Sequence, residues 1–284
     1  MFLDPSINFS KLEADVLIHQ ILYEHTSSYI KGSIKGPSEI IKASHYVEFF
    51  DDELQRDISK TVKIHSCNPL SFGDKIDEKA IDYIRMYLKS ISKKECFQIF
   101  LGAEHSISFP IVEYFHEQNI NFGILQIDAH ADLREDYQGN KYSHASVMSR
   151  IAKLQIPITQ IGIRALCEEE FEKINSSNQI HTFYDFETSY NQETWEKVAE
   201  TLPENIYISL DTDGLNPSEF PSVGTPEPGG LNWKEITALL RKIFKSRNVV
   251  AMDIVECCPI ENDVRTQYNL AKLIYRVIGY KFGT

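Results

Sequence analysis

Short apolar runs alternate with longer amphipathic stretches along the whole chain. The runs Val16–Leu22, Val62–Ser66, Phe97–Leu101, Phe122–Ile127, Ile158–Ile163, Ile180–Phe183, Ile206–Leu210 and Val249–Ile254 are rich in aliphatic and β-branched residues. Many are apolar at successive positions, as expected of strands covered on both faces in a parallel sheet. The stretches Pro37–Phe50, Asp77–Ser92, Ser108–Glu117, His144–Leu154, Glu168–Asn175, Gln192–Leu202, Trp233–Lys245 and Asp263–Gly279 are the helix candidates between them. This alternation predicts an α/β fold with a mostly parallel sheet and helices on both faces. No repeat, low-complexity tract or Pro/Gly/Ser-rich linker divides the chain, so residues 1–284 read as one domain. Ligands of such sheets bind at the carboxyl ends of the strands. The polar residues that close each run are therefore where chemistry is sought.

Composition narrows the choice. A chain of 284 residues can bury a full core without disulfide or metal staples. Its net charge of −12 argues against nucleic acid as a partner and leans towards a cationic one. Cys67, Cys96, Cys167, Cys257 and Cys258 are odd in number and form no CxxC, so free thiols in a reducing compartment are expected. The first residues lack a basic stretch followed by an apolar run, and no segment approaches the roughly 18 apolar residues of a membrane span. A cytoplasmic protein without membrane contact is the expectation.

Five motifs follow apolar runs or open helices. Asp128-Ala129-His130-Ala131-Asp132 places two carboxylates and an imidazole at alternate positions, on one side of an extended chain. That donor set suits Mn, Zn, Fe, Co or Ni, although N-capping aspartates around a structural His would look similar. Ser209-Leu210-Asp211-Thr212-Asp213-Gly214 puts two carboxylates side by side, which repel unless a cation or proton compensates; the alternative is an ordinary Asp-Gly turn. Gly102-Ala103-Glu104-His105-Ser106, Tyr142-Ser143-His144-Ala145 and the run Met252–Pro259 with Glu256 each carry one residue of interest, and each alone also suits a structural role. Together they are more telling. If every motif closes a parallel strand, His105, Asp128, His130, Asp132, Asp211 and Asp213 share one sheet edge. Two histidines and four aspartates match two divalent cations in ligands and in charge. Such a pair would leave a bound hydroxide as nucleophile for a planar, weakly electrophilic carbon.

These residues, in this order and spacing, resemble the arginase–agmatinase (ureohydrolase) family. LGAEHS, DAHAD and SLDTDGLNP are similar to the family's GGDHS, DAHxD and SxDxDxxDP motifs, and the likeness spans most of the chain. The resemblance implies an arginase-like three-layer α/β/α sandwich with an eight-stranded parallel sheet, and a trimer or hexamer. It implies two manganese ions per chain. His105 and Asp132 would hold the first, His130 and Asp213 the second, and Asp128 and Asp211 both. The bridging hydroxide would attack a guanidinium carbon and release urea. His144 would shuttle protons and Glu256 would bind the guanidinium. DLREDYQGNKYSHASVMSR looks most like agmatinases, and Glu135 and Asp136 in that loop disfavour an anionic substrate tail. The expected reaction is thus agmatine plus water to putrescine and urea. Guanidinobutyrase, arginase or formimidoylglutamase activity, or a metal-binding homologue without turnover, are the alternatives. Ala103, Glu104, Asn216 and Ser222-Val223 depart from the family pattern.

Overall fold

The computed structural model describes residues 1–4, 7, 9–91 and 96–283. Its strands are β1 (Val16–Leu22), β2 (Phe50–Asp51), β3 (Arg56–Asp57), β4 (Ile64–Ser66), β5 (Leu70–Ser71), β6 (Phe97–Gly102), β7 (Gly123–Ile127), β8 (Ile158–Ile163), β9 (Ile180–Tyr184), β10 (Asn205–Asp211) and β11 (Asn248–Val255). The helices are α1 (Gly36–Ser44), α2 (Asp77–Ile91), α3 (Ser108–His116), α4 (Val147–Ala152), α5 (Glu168–Ser176), α6 (Gln192–Glu200), α7 (Trp233–Ser246) and α8 (Arg265–Phe282).

Nine strands form one sheet in the order β4-β1-β6-β11-β10-β7-β8-β9, with β5 also on β1. Every pairing in it is parallel. Each face carries its own apolar cluster. Ile99, Leu101, Leu125, Ile208, Leu210 and Ile254 pack with residues of α1, α6, α7 and α8. Phe100, Ile124, Ile158, Tyr207 and Val255 pack with residues of α2, α3, α4 and α5. This is the three-layer α/β/α arrangement expected from the apolar pattern. None of the described helices is long and apolar enough to cross a membrane.

Three elements differ from the sequence reading. The first helix ends at Ser44, and Phe50 belongs to the antiparallel pair of β2 with β3 rather than to a helix reaching Phe50. Beyond Ser44 the chain tightens into i→i−3 turns, with the backbone N–H groups of His45, Tyr46 and Val47 on the carbonyls of Lys42, Ala43 and Ser44. Asp51 then fixes the next segment, accepting from the backbone of Glu53 and Leu54 and from the buried Arg276 at 2.9 Å. The run from Val62 begins as a strand only at Ile64, because Val62 closes a 3₁₀ turn over 58–60. The last helix starts at Arg265 rather than Asp263, whose carboxylate accepts from the Arg265 backbone. Ser92, the expected end of the second helix, lies outside the described residues.

The registers align the strand ends. Leu101, Ile254, Leu210 and Ile127 are paired in one row across β6, β11, β10 and β7. The next row towards the strands' N-termini reads His19, Phe100, Asp253, Ser209, Gln126, Gln160 and Thr182. Apart from Phe100 it is polar, yet all but Thr182 are fully buried. Chain order also matters here. The chain passes from β6 to β7, which are separated in the sheet, and β10 and β11 later fill the gap. The crevice above such a switch is where ligands of open α/β sheets bind.

His19, at one end of the polar row, stacks on Phe100 and meets Tyr87 Oη at 3.0 Å. Burial pushes its pKa down to about 3. A depressed folded-state value means that stability is present in full above the unfolded value of about 6.5 and is lost as pH falls towards 3. His19→Asn should therefore be less acid-sensitive. The stability gap between wild type and variant, measured by denaturant unfolding, should narrow by roughly 2 kcal/mol between pH 7 and pH 5. A gap independent of pH would refute the buried, neutral state of His19.

Candidate active site

The four central strands each deliver residues to the crevice. After β6, a 3₁₀ turn begins at His105. After β7, residues 128–132 run over the sheet edge. Asp211 ends β10, and Asp213 lies in the 3₁₀ turn that follows. Glu256 comes directly after β11. The alternate-residue argument for Asp128, His130 and Asp132 assumed an extended chain. The observed path is a loop in which Asp132 adopts a left-handed φ of 55°, and Glu256 is similarly left-handed at 60°. Such conformations store strain of about 1–3 kcal/mol each and concentrate at functional sites. Ala103, by contrast, is not among the left-handed residues, so its departure from the family's Gly carries no backbone strain.

The side chains converge. His105 Nδ1 lies 3.2 Å from Asp128 Oδ2, 3.0 Å from Asp132 Oδ2 and 3.3 Å from Asp211 Oδ2. It makes an aligned hydrogen bond with none of them. His130 Nδ1 lies 3.0 Å from Asp213 Oδ2 and 3.8 Å from Asp128 Oδ1. Two groups could each hold a cation, His105 with Asp128 and Asp132, and His130 with Asp128 and Asp213. Asp128 is common to both. His144 and Glu256 line the same cleft, which encloses about 210 Å³ and is also bordered by Tyr29, Ile30, Arg134, Tyr137 and Thr225.

Charge in this cluster is balanced by protons. Burial works against a charged His105, but the three surrounding carboxylates outweigh it and hold the imidazole well above its ordinary range. His130 shows the same contest, won mainly by Asp213, and is raised to about 11. Burial, with Asp132 and Asp213 adding, pushes Asp128 up to about 7. Asp211 is raised well above the carboxylate range by burial and then by Asp213 and Asp128. Burial also opposes ionisation of Asp213, but the adjacent His130 overcomes it and holds this carboxyl low. Glu256 is raised by burial and by the neighbouring Glu104. Carboxylates that take up protons because they crowd one another are relieved by cations.

Sequence reasoning missed the polar row beneath this cluster. Gln126 donates to Asp128 Oδ2 at 2.7 Å and to the His130 carbonyl at 3.1 Å. Gln160 in turn donates to Gln126 and to the Ala131 carbonyl, and Thr182 donates to Gln160. On the other side, Asp253 accepts from Tyr207 at 2.6 Å and from Ser209 at 2.8 Å. Ser209 has given away its one proton, so it accepts from His105 Nε2 at 2.9 Å. With Nε2 as the donor, a cation that displaced the Nδ1 proton would meet the Nδ1 lone pair among the carboxylates, the form a ligand requires. Mid-strand Asp253 and paired Gln126 and Gln160 were visible as polar residues inside apolar runs. Their partners depend on register.

The two loop acids expected to disfavour an anionic substrate tail lie elsewhere. Glu135 and Asp136 do not line the cleft. Glu135 is bound by Lys153 and Lys173, and Asp136 accepts from the Gly139 backbone. The loop residue at the cleft is Arg134, with Glu170 at 3.7 Å. Asn216, in place of the family's Asp, closes a local turn by accepting from Ser218.

Fold and cleft define a parallel-sheet α/β protein with an acidic, imidazole-bearing site at the sheet's switch point. The family model described as the Arginase family matches residues 14–279, and the chain belongs to that family. It is 33% identical to an N(1)-aminopropylagmatine ureohydrolase of Synechocystis, over 98% of this chain and 93% of the relative. Its identity to an agmatinase of Bacillus subtilis is 31%, over 93% and 90%. The solved agmatine ureohydrolase of Thermoplasma volcanium superposes with a TM-score of 0.87 at 28% identity, covering 99% of this chain and 94% of that one.

Gly214 shows how tightly the two Asp-bearing loops approach. A Cβ there would meet Asp128 N at 2.6 Å and Asp128 Cα at 2.7 Å. Gly214→Ala should destabilise the fold by roughly 1–3 kcal/mol through forced backbone displacement, read as a lower denaturant midpoint with unchanged slope. An unchanged midpoint would mean that the loops are not in contact.

Proposed function

We propose that the protein hydrolyses a guanidino compound to urea and an amine, using two divalent cations, most simply Mn²⁺. The observation that carries this reading is the convergence of four buried aspartates and two histidines, three of the carboxylates surrounding a His105 Nδ1 that has no aligned hydrogen bond and the fourth, Asp213, lying against His130. The donor set fits hard or borderline divalent ions. His105 and Asp132 would serve one cation and His130 and Asp213 the other, with Asp128 and Asp211 between them. When bound, such a pair lowers the pKa of water towards neutrality and so supplies the nucleophile.

The chain's own groups divide the remaining work. Glu256, half-buried at the cleft floor, takes the guanidinium. Its pKa, raised by burial and by Glu104, falls once a cation sits against it. Asp132 accepts the proton of the attacking water. His144 gives a proton to the departing amine nitrogen, so that guanidine plus water becomes urea plus amine. Tyr29, Ile30 and Tyr137 offer apolar surface for a methylene chain.

Agmatine is the first substrate to try, given the agmatinase relatives. A second reading, N-aminopropylagmatine, is favoured by relatives of that name at 33% identity. Glu135 and Asp136, turned away from the cleft, do not select against an anionic tail. The Mn²⁺-loaded protein should be assayed with agmatine, N-aminopropylagmatine, arginine, guanidinobutyrate and formimidoylglutamate, reading urea and formamide separately. Urea from one or both of the first two, lost in Asp211→Ala, is the expected result. Formamide, or no product from any of the five, would contradict the proposal.

A further inference from the structure

Glu104 is fully buried and accepts four hydrogen bonds. Its Oε2 takes the backbone N–H of His25 at 2.7 Å and of Thr26 at 2.6 Å. Its Oε1 takes the hydroxyls of Thr26 at 2.7 Å and Ser106 at 2.5 Å. The Thr26 hydroxyl has a single proton, and Glu104 receives it. Towards everything else that oxygen only accepts. It takes the His144 backbone N–H at 3.0 Å and faces His144 Nδ1 at 3.0 Å. For the second contact to be a hydrogen bond, Nδ1 must carry the hydrogen. Ser143 Oγ lies farther from the same nitrogen, at 3.4 Å. The ring lines the cleft, with Tyr137 edge-on at 5.9 Å, and no hydrogen bond to Nε2 occurs among the described residues.

We infer that Glu104 and Thr26 are positioning residues that fix His144 as the Nδ1–H tautomer and leave Nε2 free to exchange a proton with a molecule in the cleft. The geometry is independent of the reaction, but the consequence for turnover rests on the hydrolytic reading proposed above. The same carboxylate sets where the loop over 27–30, which borders the cleft, leaves β1, because it binds the two preceding N–H groups. Glu24 holds the loop's far end through the backbone N–H groups of Gly32 and Ser33. Glu104, the residue that departs from the family's usual Asp, thus ties a cleft-forming loop and an imidazole to the turn that carries His105. A tautomer fixed before substrate arrives places the lone pair, or the acidic proton of the imidazolium, on the nitrogen that faces the reaction.

The test uses the full chain with ¹⁵N-labelled histidine, loaded with Zn²⁺ to avoid paramagnetic broadening; His144→Gln assigns the signal. The expected signal is a proton on Nδ1 of His144 in the wild type and in Thr26→Ser, and a shift towards the other tautomer in Thr26→Val. In the Mn²⁺-loaded enzyme, Thr26→Val should lower kcat by about 10- to 100-fold, less than the roughly 10²–10⁴-fold of a lost general acid because His144 itself remains. KM and metal content should stay the same, and Thr26→Ser should restore kcat. A wild-type His144 protonated on Nε2 alone would overturn the inference. So would a Thr26→Val enzyme that changes only in KM or in metal content. An Nδ1–H signal in a protein that releases urea from no guanidine would uphold the tautomer and sink the hydrolytic reading instead. Glu104→Gln removes acceptor capacity from a fully buried group and is expected to unfold the loop, so the threonine pair carries the test.

Discussion

Four carboxylates crowded into one dry edge of a sheet are the constraint around which the rest is arranged. Asp128, Asp132, Asp211 and Asp213 are each at most 5% exposed and come from two loops that nearly touch. Left alone they repel, and the structure answers with protons on His105 and His130 and raised pKa values for Asp128 and Asp211. A protein core does not assemble such a cluster for stability, since an uncompensated buried charge costs several kcal/mol. The arrangement favours positive charge, the basis on which we propose a cation site and, with the cation-binding carboxyl group of Glu256 beside it, a hydrolytic one.

Holding that cluster needs a stiff base, and the sheet supplies it through register. The row Asp253, Ser209, Gln126 and Gln160 lies one step below the row in which the strands end. Each member bonds the next or bonds a loop above, so His105 and Asp128 are oriented from beneath through His105–Ser209–Asp253 and Asp128–Gln126–Gln160. Linked polar networks fix one geometry, and here the unmatched atom, His105 Nδ1, is the one that faces the aspartates. The strain at Asp132 and Glu256 is held in place by the same surroundings.

Much of this was legible in the chain. Runs rich in Ile and Val marked β1, β4 and β6 to β11, although β4 proved short, and Val16–Leu22 has the bounds read from the sequence. DAHAD and SLDTDG are local motifs, so their residues stay neighbours whatever the fold. Less visible was anything that depends on pairing. Gln126 meets Gln160, and Ser209 meets Asp253, only because separate strands align at those positions. Thr26 reaches His144 across 118 residues of sequence. Loop side chains were the least readable. Glu135 and Asp136 looked like cleft residues by position, yet the loop turns them towards Lys153, Lys173 and Gly139 and presents Arg134 instead.

The account stands or falls on the cations. Equilibrium dialysis of the full chain against Mn²⁺, with metal counted per chain and the unfolding midpoint recorded on the same samples, tests it most directly. Two metals per chain, with a midpoint that rises as ligand linkage requires, is the predicted result. A chain that binds no metal, or whose midpoint ignores it, would contradict the reading of the aspartate cluster as a dinuclear site.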